Sequence, residues 1–309
     1  MKTTHRKYDD EAGDFRRLSR FILQHNADLR AYSTWCIGRF VDWKYGLYES
    51  KTAVPDFCGQ NAHLWFDDFG ELAGFAIAEN GDADFAILTT AGYRFLFADM
   101  LQWVLANWGR RQPRLAIEIT EQQTYEAKIL ARFGFRHGST FFRQEFDLTQ
   151  PLTGRFPLEV GFVLVDMAAH PDYMAQRILR DDAFQGRIPT SEEALRREML
   201  FYNHSHNGPI YHPQTDLCVM AADGRFVSGC EALIDAWNAE ADIERVCTHS
   251  SFRQRGFARA VIQECLVRLQ EMGMRKAYIT GYSEAAIKLY ASLGAAQESR
   301  AFVYETAVA

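Results

Sequence analysis

The sequence predicts a mixed α/β (α+β) chain in which one fold occurs twice in tandem. Three observations carry this: the length, a long internal repeat, and the same order of strand-like and helix-like segments in each half. The chain has 309 residues, enough for about two domains at roughly 150 residues each. Leu115-Ala116-Ile117-Glu118-Ile119-Thr120, then a helical stretch, Phe133-Gly134-Phe135 and Phe142-Arg143-Gln144-Glu145 have counterparts 160 residues later. These are Lys276-Ala277-Tyr278-Ile279-Thr280, Leu293-Gly294-Ala295 and Phe302-Val303-Tyr304-Glu305. Upstream, Ala83-Asp84-Phe85-Ala86 matches Ala241-Asp242-Ile243-Glu244 at an offset of 158, and Leu72-Ala73-Gly74-Phe75 matches Val227-Ser228-Gly229-Cys230 at 155. A nearly constant offset over five landmarks is the mark of a repeated unit. The joint near Leu148 to Gly154 carries Pro151 and Gly154, as linkers often do. The expected domains are therefore 1–150 and 151–309.

The elements follow in order. In the first half, helices are expected at Phe15 to Gln24 and Leu96 to Trp108, with strands around Ala62 to Ile87. In the second half Glu159 to Asp166 is strand-like. Thr190-Ser191-Glu192-Glu193 fits a capping box that opens a helix to about Tyr202. Asp216 to Ala222 and Arg225 to Trp237 form a hairpin around Asp223-Gly224, and Asp242 to Thr248 is a strand. From Gly256 to Met272, Ala260, Val261, Cys265, Leu266 and Leu269 recur at helical spacing, and Gly273 ends that helix. Met274 to Thr280 is a strand, Glu284 to Leu293 a helix, and Ala301 to Thr306 a closing strand.

Composition narrows the class. Apolar residues make up 48% and charged residues 24%, which excludes a disordered, collagenous or coiled-coil chain. With 34 basic and 40 acidic residues the net charge is −6, so no nucleic-acid partner is expected. The six cysteines, Cys36, Cys58, Cys218, Cys230, Cys247 and Cys265, include no CxxC pair and read as small core residues of a reducing compartment. Met1 to Asp14 has no apolar signal region, and no stretch approaches the ~18 to 20 apolar residues of a membrane span. A cytoplasmic protein, monomer or homodimer, without a membrane or metal partner is expected. His204, His206 and His212 read as a polar loop rather than a metal site.

The segment richest in chemistry is Glu244-Arg245-Val246-Cys247-Thr248-His249-Ser250-Ser251-Phe252-Arg253-Gln254-Arg255-Gly256-Phe257-Ala258-Arg259. A strand ends, a short loop follows, and a helix begins. The start of a helix exposes unpaired N–H groups and the positive end of the dipole. Successive amides in such a turn suit a phosphate or diphosphate. Gly256 would let the backbone approach a bulky anion, Ala258 keeps the next position small, and Arg253, Arg255 and Arg259 add positive charge. The alternative is a surface loop whose arginines cap an ordinary helix.

The second half resembles the GNAT superfamily of acetyl-CoA-dependent N-acetyltransferases. Arg253-Gln254-Arg255-Gly256-Phe257-Ala258 matches that family's Arg/Gln-x-x-Gly-x-Gly/Ala loop. Ser283 to Ala295 matches its late helix, Asn-x-x-Ala-x-x-Leu-Tyr-x-x-x-Gly-Phe, except for Ser283 and Ala295. The resemblance is specific over about Asp216 to Glu305. It implies two GNAT folds, each a mixed, mostly antiparallel sheet flanked by helices. It implies acetyl-CoA as co-substrate and an amine on a small molecule or peptide as acceptor. The backbone from Arg253 to Arg259, by way of Gln254, Arg255, Gly256, Phe257 and Ala258, would hold the diphosphate. Val246, Cys247 and Thr248 would run beside the pantetheine arm, with Ser283 and Ala286 also on the cofactor side. Tyr290 would protonate the leaving thiolate. Asp242 or Glu244 would take the proton of the amine, each also readable as a solvated or salt-bridged strand residue.

The first half departs from this pattern. Its loop reads Ala91-Gly92-Tyr93-Arg94-Phe95-Leu96-Phe97-Ala98, with Phe97 or a neighbour at the place of Gly256 and Leu130 at the place of Tyr290. A degenerate copy that binds no acetyl-CoA is expected. The aromatic run Tyr32, Trp35, Phe40, Trp43, Tyr45 and Tyr48 could line a substrate cleft or form a core. An acyl-CoA-binding regulator without turnover, a longer acyl group, and a hydroxyl acceptor are the alternatives the residues leave open.

Overall fold

The computed structural model describes residues 2–29, 32–46, 51, 54–152, 154–186, 191, 196, 199 and 206–307. The chain divides into two compact units, 1–141 with 300–309, and 142–299. This differs from a cut at 150, and the strands give the reason. Each unit completes its sheet with a strand from the other half of the sequence.

The first unit contains β1 (Thr4–Lys7), β2 (Ala62–Phe66), β3 (Leu72–Ala78), β4 (Asp84–Thr89) and β5 (Arg114–Thr120) in that spatial order. The closing strand is the end of β12 (Gln297–Ala307), which runs antiparallel to β5 from Ala301↔Thr120 to Ala307↔Arg114. All pairs are antiparallel except β4–β5, which is parallel. The helices are α1 (Asp14–Leu29), α2 (Ile37–Tyr45), α3 (Phe57–Asn61), α4 (Phe97–Trp108) and α5 (Thr124–Arg132). α1 runs past its expected end at Gln24. It buries Leu18, Phe21 and Ile22 on one face, and its buried Asp14 accepts from Arg6, Arg17 and the Asp9 amide.

The aromatic run resolves mostly into core. Trp35, Phe40 and Trp43 are buried, and Trp43 donates to the Ala78 carbonyl at 3.1 Å. Tyr32 is half-buried. Tyr48, His204 and the helix expected over Thr190 to Tyr202 lie outside the described residues, apart from 191, 196 and 199.

The second unit repeats the plan. Its order is β6 (Arg136–Asp147, from Phe142 on), β11 (Lys276–Gly281), β10 (Glu240–Thr248), β9 (Phe226–Asp235), β8 (Asp216–Ala221) and β7 (Phe162–Asp166). Only β10–β11 is parallel. Its helices are α6 (Tyr173–Gln185), α7 (Phe257–Glu271) and α8 (Glu284–Ala291). α7 packs Phe257, Val261, Ile262, Cys265, Leu266 and Leu269 onto the sheet residues Cys230, Ala232, Ala241, Ile243 and Ala277. Truncating one such leucine to alanine costs about 2–5 kcal/mol. α6 covers the opposite face, where Leu179 meets Cys218, Phe226 and Cys247.

Candidate active site

Strand β10 positions the site through an irregularity. Against β9 its register runs from Glu240↔Asp235 to Glu244↔Glu231 and resumes at Cys247↔Gly229. One extra residue on β10 is therefore accommodated, which is a β-bulge. Arg245 takes φ +53° there. The faces swap as a result. Ala241 and Ile243 point into the α7 core and Val246 also packs there, whereas Cys247 lies on the α6 side. The parallel ladder to β11 stops at Asp242↔Tyr278, although β10 continues to Thr248 and β11 to Gly281. The strands part, and the bulge sits at the opening between them.

The turn after β10 is held from below. Asp182 on α6 accepts from the Ser250 N–H at 2.6 Å and the Ser250 hydroxyl at 2.9 Å. The Ser228 hydroxyl reaches the Cys247 carbonyl at 2.7 Å and the Thr248 hydroxyl at 2.9 Å. The chain then passes Gln254 at φ +63° and Gly256 at φ +80° before α7 starts at the buried Phe257. Left-handed residues within a turn gather backbone N–H groups into an anion-binding concavity, here at the positive end of a 15-residue helix. A Cβ on Gly256 would come within 2.5 Å of a Phe156 ring carbon. The position thus favours glycine through its φ.

Tyr290 on α8 is 6% exposed and belongs to the same core. Burial pushes its phenol up, and the charge of Glu244 adds to the shift. The phenol is protonated at neutral pH and close enough to Glu244 to feel its charge.

The geometry has counterparts among known proteins. Residues 175–295 match the model of the acetyltransferase (GNAT) family. The second unit contains a GNAT acetyltransferase domain. By that domain the chain is an acyltransferase. A GCN5-related N-acetyltransferase from Sphaerobacter thermophilus superposes with a TM-score of 0.67 at 18% identity, over 99% of this chain and 96% of that one. A tandem GNAT protein from the clavulanic acid biosynthesis pathway superposes with a TM-score of 0.69 at 13% identity, over 100% and 99%. A GCN5-related N-acetyltransferase from Kribbella flavida gives 0.52 at 15%, over 75% and 86%. At these identities the likeness is one of fold, and it covers both units. No curated protein sequence matches the chain.

Within the GNAT domain the arginines of the loop have local partners. Arg255 pairs with Glu159 and lies over the rings of Phe162, Phe257 and Phe252 at 4.8, 5.0 and 5.5 Å. Arg259 donates to the Ser292 hydroxyl at 2.6 Å and Arg253 to the Thr248 carbonyl at 3.4 Å. Ser283 caps α8 by accepting from the Ala286 N–H at 3.3 Å. Burial pushes the Cys247 thiol up to about 12, which removes it as a nucleophile at neutral pH.

A buried charge network beside the bulge was not foreseen from residue spacing. Arg180 lies 3.1 Å from Glu231 and 3.4 Å from Asp216, and Arg245 lies 2.9 Å from Glu231. Gln176 and Tyr211 donate to Asp216 at 2.6 and 3.0 Å, and His206 stands 3.8 Å from it. Desolvating these groups costs several kcal/mol per ion unless they are paired. The pairing depends on Arg245 leaving the regular strand, so the bulge and the network support each other. The one visible signal was an excess of charge, Arg180-Asp181-Asp182, in a segment whose apolar spacing marks a helix.

Proposed function

We infer that the GNAT domain transfers an acetyl group from acetyl-CoA to a primary amine by direct attack in a ternary complex. The observation that carries this is a succession within 14 residues of a bulge at an open strand edge and a left-handed turn at a helix start. The cradle suits a diphosphate through its left-handed turn at the start of α7, and the Phe156 ring that lies over Gly256 would have to move aside. Acetyl-CoA supplies the activated acyl group. The amides of Arg255 to Ala258 would hold its diphosphate, and the edge of β10 from Val246 to Thr248 would lie beside the pantetheine arm.

The amine arrives protonated, since an alkylammonium has a pKa near 10.4. Glu244 is the better acceptor of that proton. At roughly 3.3 Å per residue it is about 7 Å along the strand from Val246, against about 13 Å for Asp242. Burial raises Glu240 to about 7, a tempting value for a base, but it stands about 20 Å along the strand from Val246. The freed nitrogen attacks the thioester carbon, an N–H at the bulge faces the developing oxyanion, and the C–S bond breaks. The Tyr290 phenol gives its proton to the thiolate, and the second proton of the nitrogen, lost as the amide forms, restores the phenol. The cross-strand neighbour of Glu244 on β9 is Glu231, whose charge is met by Arg180 and Arg245.

The test is a screen of amines with acetyl-CoA, read by free thiol, on the native chain and Tyr290→Phe. Turnover of the variant should fall about 100-fold with acetyl-CoA KM changed less than about twofold. Unchanged turnover would remove Tyr290 from the reaction. Tight acetyl-CoA binding with no thiol released by any amine would favour the regulator.

A further inference from the structure

The first unit holds a cavity of about 810 Å³, within the size range of small-molecule sites. It opens where β4 and β5 part, after the short ladder Asp84↔Ala116 and Phe85↔Ile117. One wall is a face of α1, on which Arg16, Arg17, Arg20, Phe21, Gln24 and Asp28 recur at three- and four-residue steps. Across from it Ile87, Leu88 and Phe97 stand beside Thr89, Thr90, Gln122 and Gln123, and the carboxylates Glu71 and Glu126 also line the cavity.

The turn beside this cavity is not a diphosphate cradle. Residues 91–96 form a 3-10 helix, and Leu96 precedes α4 at φ −69°. The Tyr93 N–H is spent on the Thr90 carbonyl, and the Phe97 N–H on Arg94. Any anion must therefore be met by side chains. Arg17 is committed to Asp14, and Arg94 to the buried Glu126 at 2.6 Å. Arg16 and Arg20 are not committed: among the described residues neither has an ion-pair partner. They are one helical turn apart on the cavity face, the spacing of neighbours on a helix. Among the described residues the cavity thus has two unpaired guanidiniums on α1 and a mixed wall beyond them, of which Phe21, Ile87, Leu88 and Phe97 are the apolar part.

We propose that the first unit binds a small amphipathic anion, a carboxylate or phosphomonoester on a hydrocarbon body, with its head on Arg16 and Arg20 and its body against Phe21, Ile87, Leu88 and Phe97. The ligand carries no diphosphate, and coenzyme A is not it. This does not depend on the reaction assigned to the second unit.

The experiment is calorimetry on the full chain with octanoate, octyl phosphate, octylamine and coenzyme A. One or both anions should bind with one site per chain, the stronger of the two identifying the head group. Arg16→Ala/Arg20→Ala should weaken that binding at least tenfold with the melting temperature unchanged, because both side chains are exposed. Gly256→Glu should leave it intact, which places the site in the first unit. Octylamine binding as tightly as the anions, binding unaffected by the double substitution, binding of neither anion, or coenzyme A displacing the anion in the Gly256→Glu chain would each overturn the proposal.

Discussion

The two units keep the same frame and differ at a bulge, a turn and one helix side chain. In both, the parallel ladder is short, ending at Phe85 in the first unit and at Asp242 in the second, after which the strands part. In both, a glycine on the third strand lies under a neighbouring carbonyl. A Cβ would meet the Leu88 oxygen at 2.7 Å from Gly74 and the Leu217 oxygen at 2.9 Å from Gly229. In both, a buried phenylalanine opens the next helix, Phe97 and Phe257. This alignment puts Leu96, not Phe97, at the place of Gly256. The differences lie elsewhere. β4 pairs with β3 without a break from Gly74↔Thr89 to Ala78↔Phe85, whereas β10 bulges. The first turn is right-handed, the second left-handed. Leu130 is fully buried where the second unit has Tyr290. Packing is thus preserved in both copies, while the proposed chemistry rests on a few dihedrals that only one copy adopts.

The sharpest way to break the comparison is to damage the turn in one unit and repair it in the other. Gly256→Glu puts a carboxylate and a Cβ into the cradle, and acetyl-CoA affinity should fall more than about 100-fold. Leu96→Gly in the first unit should leave the affinity and the stoichiometry of one unchanged. Two acetyl-CoA molecules per native chain by calorimetry would show that the copies are not divided in this way.

Glu244→Gln comes next. The substitution keeps shape and removes the proton acceptor nearest the bulge, so kcat should fall about 10- to 100-fold, with the loss greatest at low pH where free amine is scarce. Asp242→Asn should cost much less. Equal losses in the two variants, measured across a pH series, would deny Glu244 its separate role.

These expectations draw on features that were unequally legible in the sequence. The repeat offset, the apolar period of α7 and the glycine before Phe257 pointed to fold and turn, because each is written in residue type and spacing. The bulge was not legible. Nothing about Arg245 as a residue type foretells φ +53°, and the register break appears only when β9 supplies a partner. The same holds for the charge network, whose members are spread from Gln176 to Arg245. The partners of Arg255 and Arg259 could not be read either, since Glu159 and Ser292 are remote from them in sequence. The exchange of closing strands escaped for a related reason: it is set by partners remote in sequence, β5 with β12 and β11 with β6.

A smaller effect concerns the segment that lies on the turn. Phe156 rests its ring on Gly256, and Glu159 holds Arg255. The diphosphate would need the same space and the same guanidinium. Phe156→Ala/Glu159→Ala should therefore tighten acetyl-CoA binding by several-fold, about 1 kcal/mol. Weaker binding would mean that the segment forms part of the cradle rather than competing for it. The first unit serves as the control, because its turn has no role in that equilibrium.

The smallest effect tests whether the shared frame imposes the same electrostatics on both copies. Where the parallel strands begin, burial raises Glu240 to about 7, with Asp235 and Asp242 adding to it. In the first unit burial likewise raises Asp84, with Asp82 and Glu79 adding. A carboxyl whose folded pKa exceeds its unfolded value of about 4.3 favours the native state in its protonated form. For Glu240 that contribution is complete below about pH 4.3 and is lost as the pH rises through about 7. Glu240→Gln should thus raise the melting temperature more at pH 8 than at pH 4, and Asp84→Asn should do the same to a lesser degree. If both substitutions act equally at the two pH values, the carboxyls are solvated. The strand ends would then be alike in backbone only, and the resemblance between the units would stop at their packing.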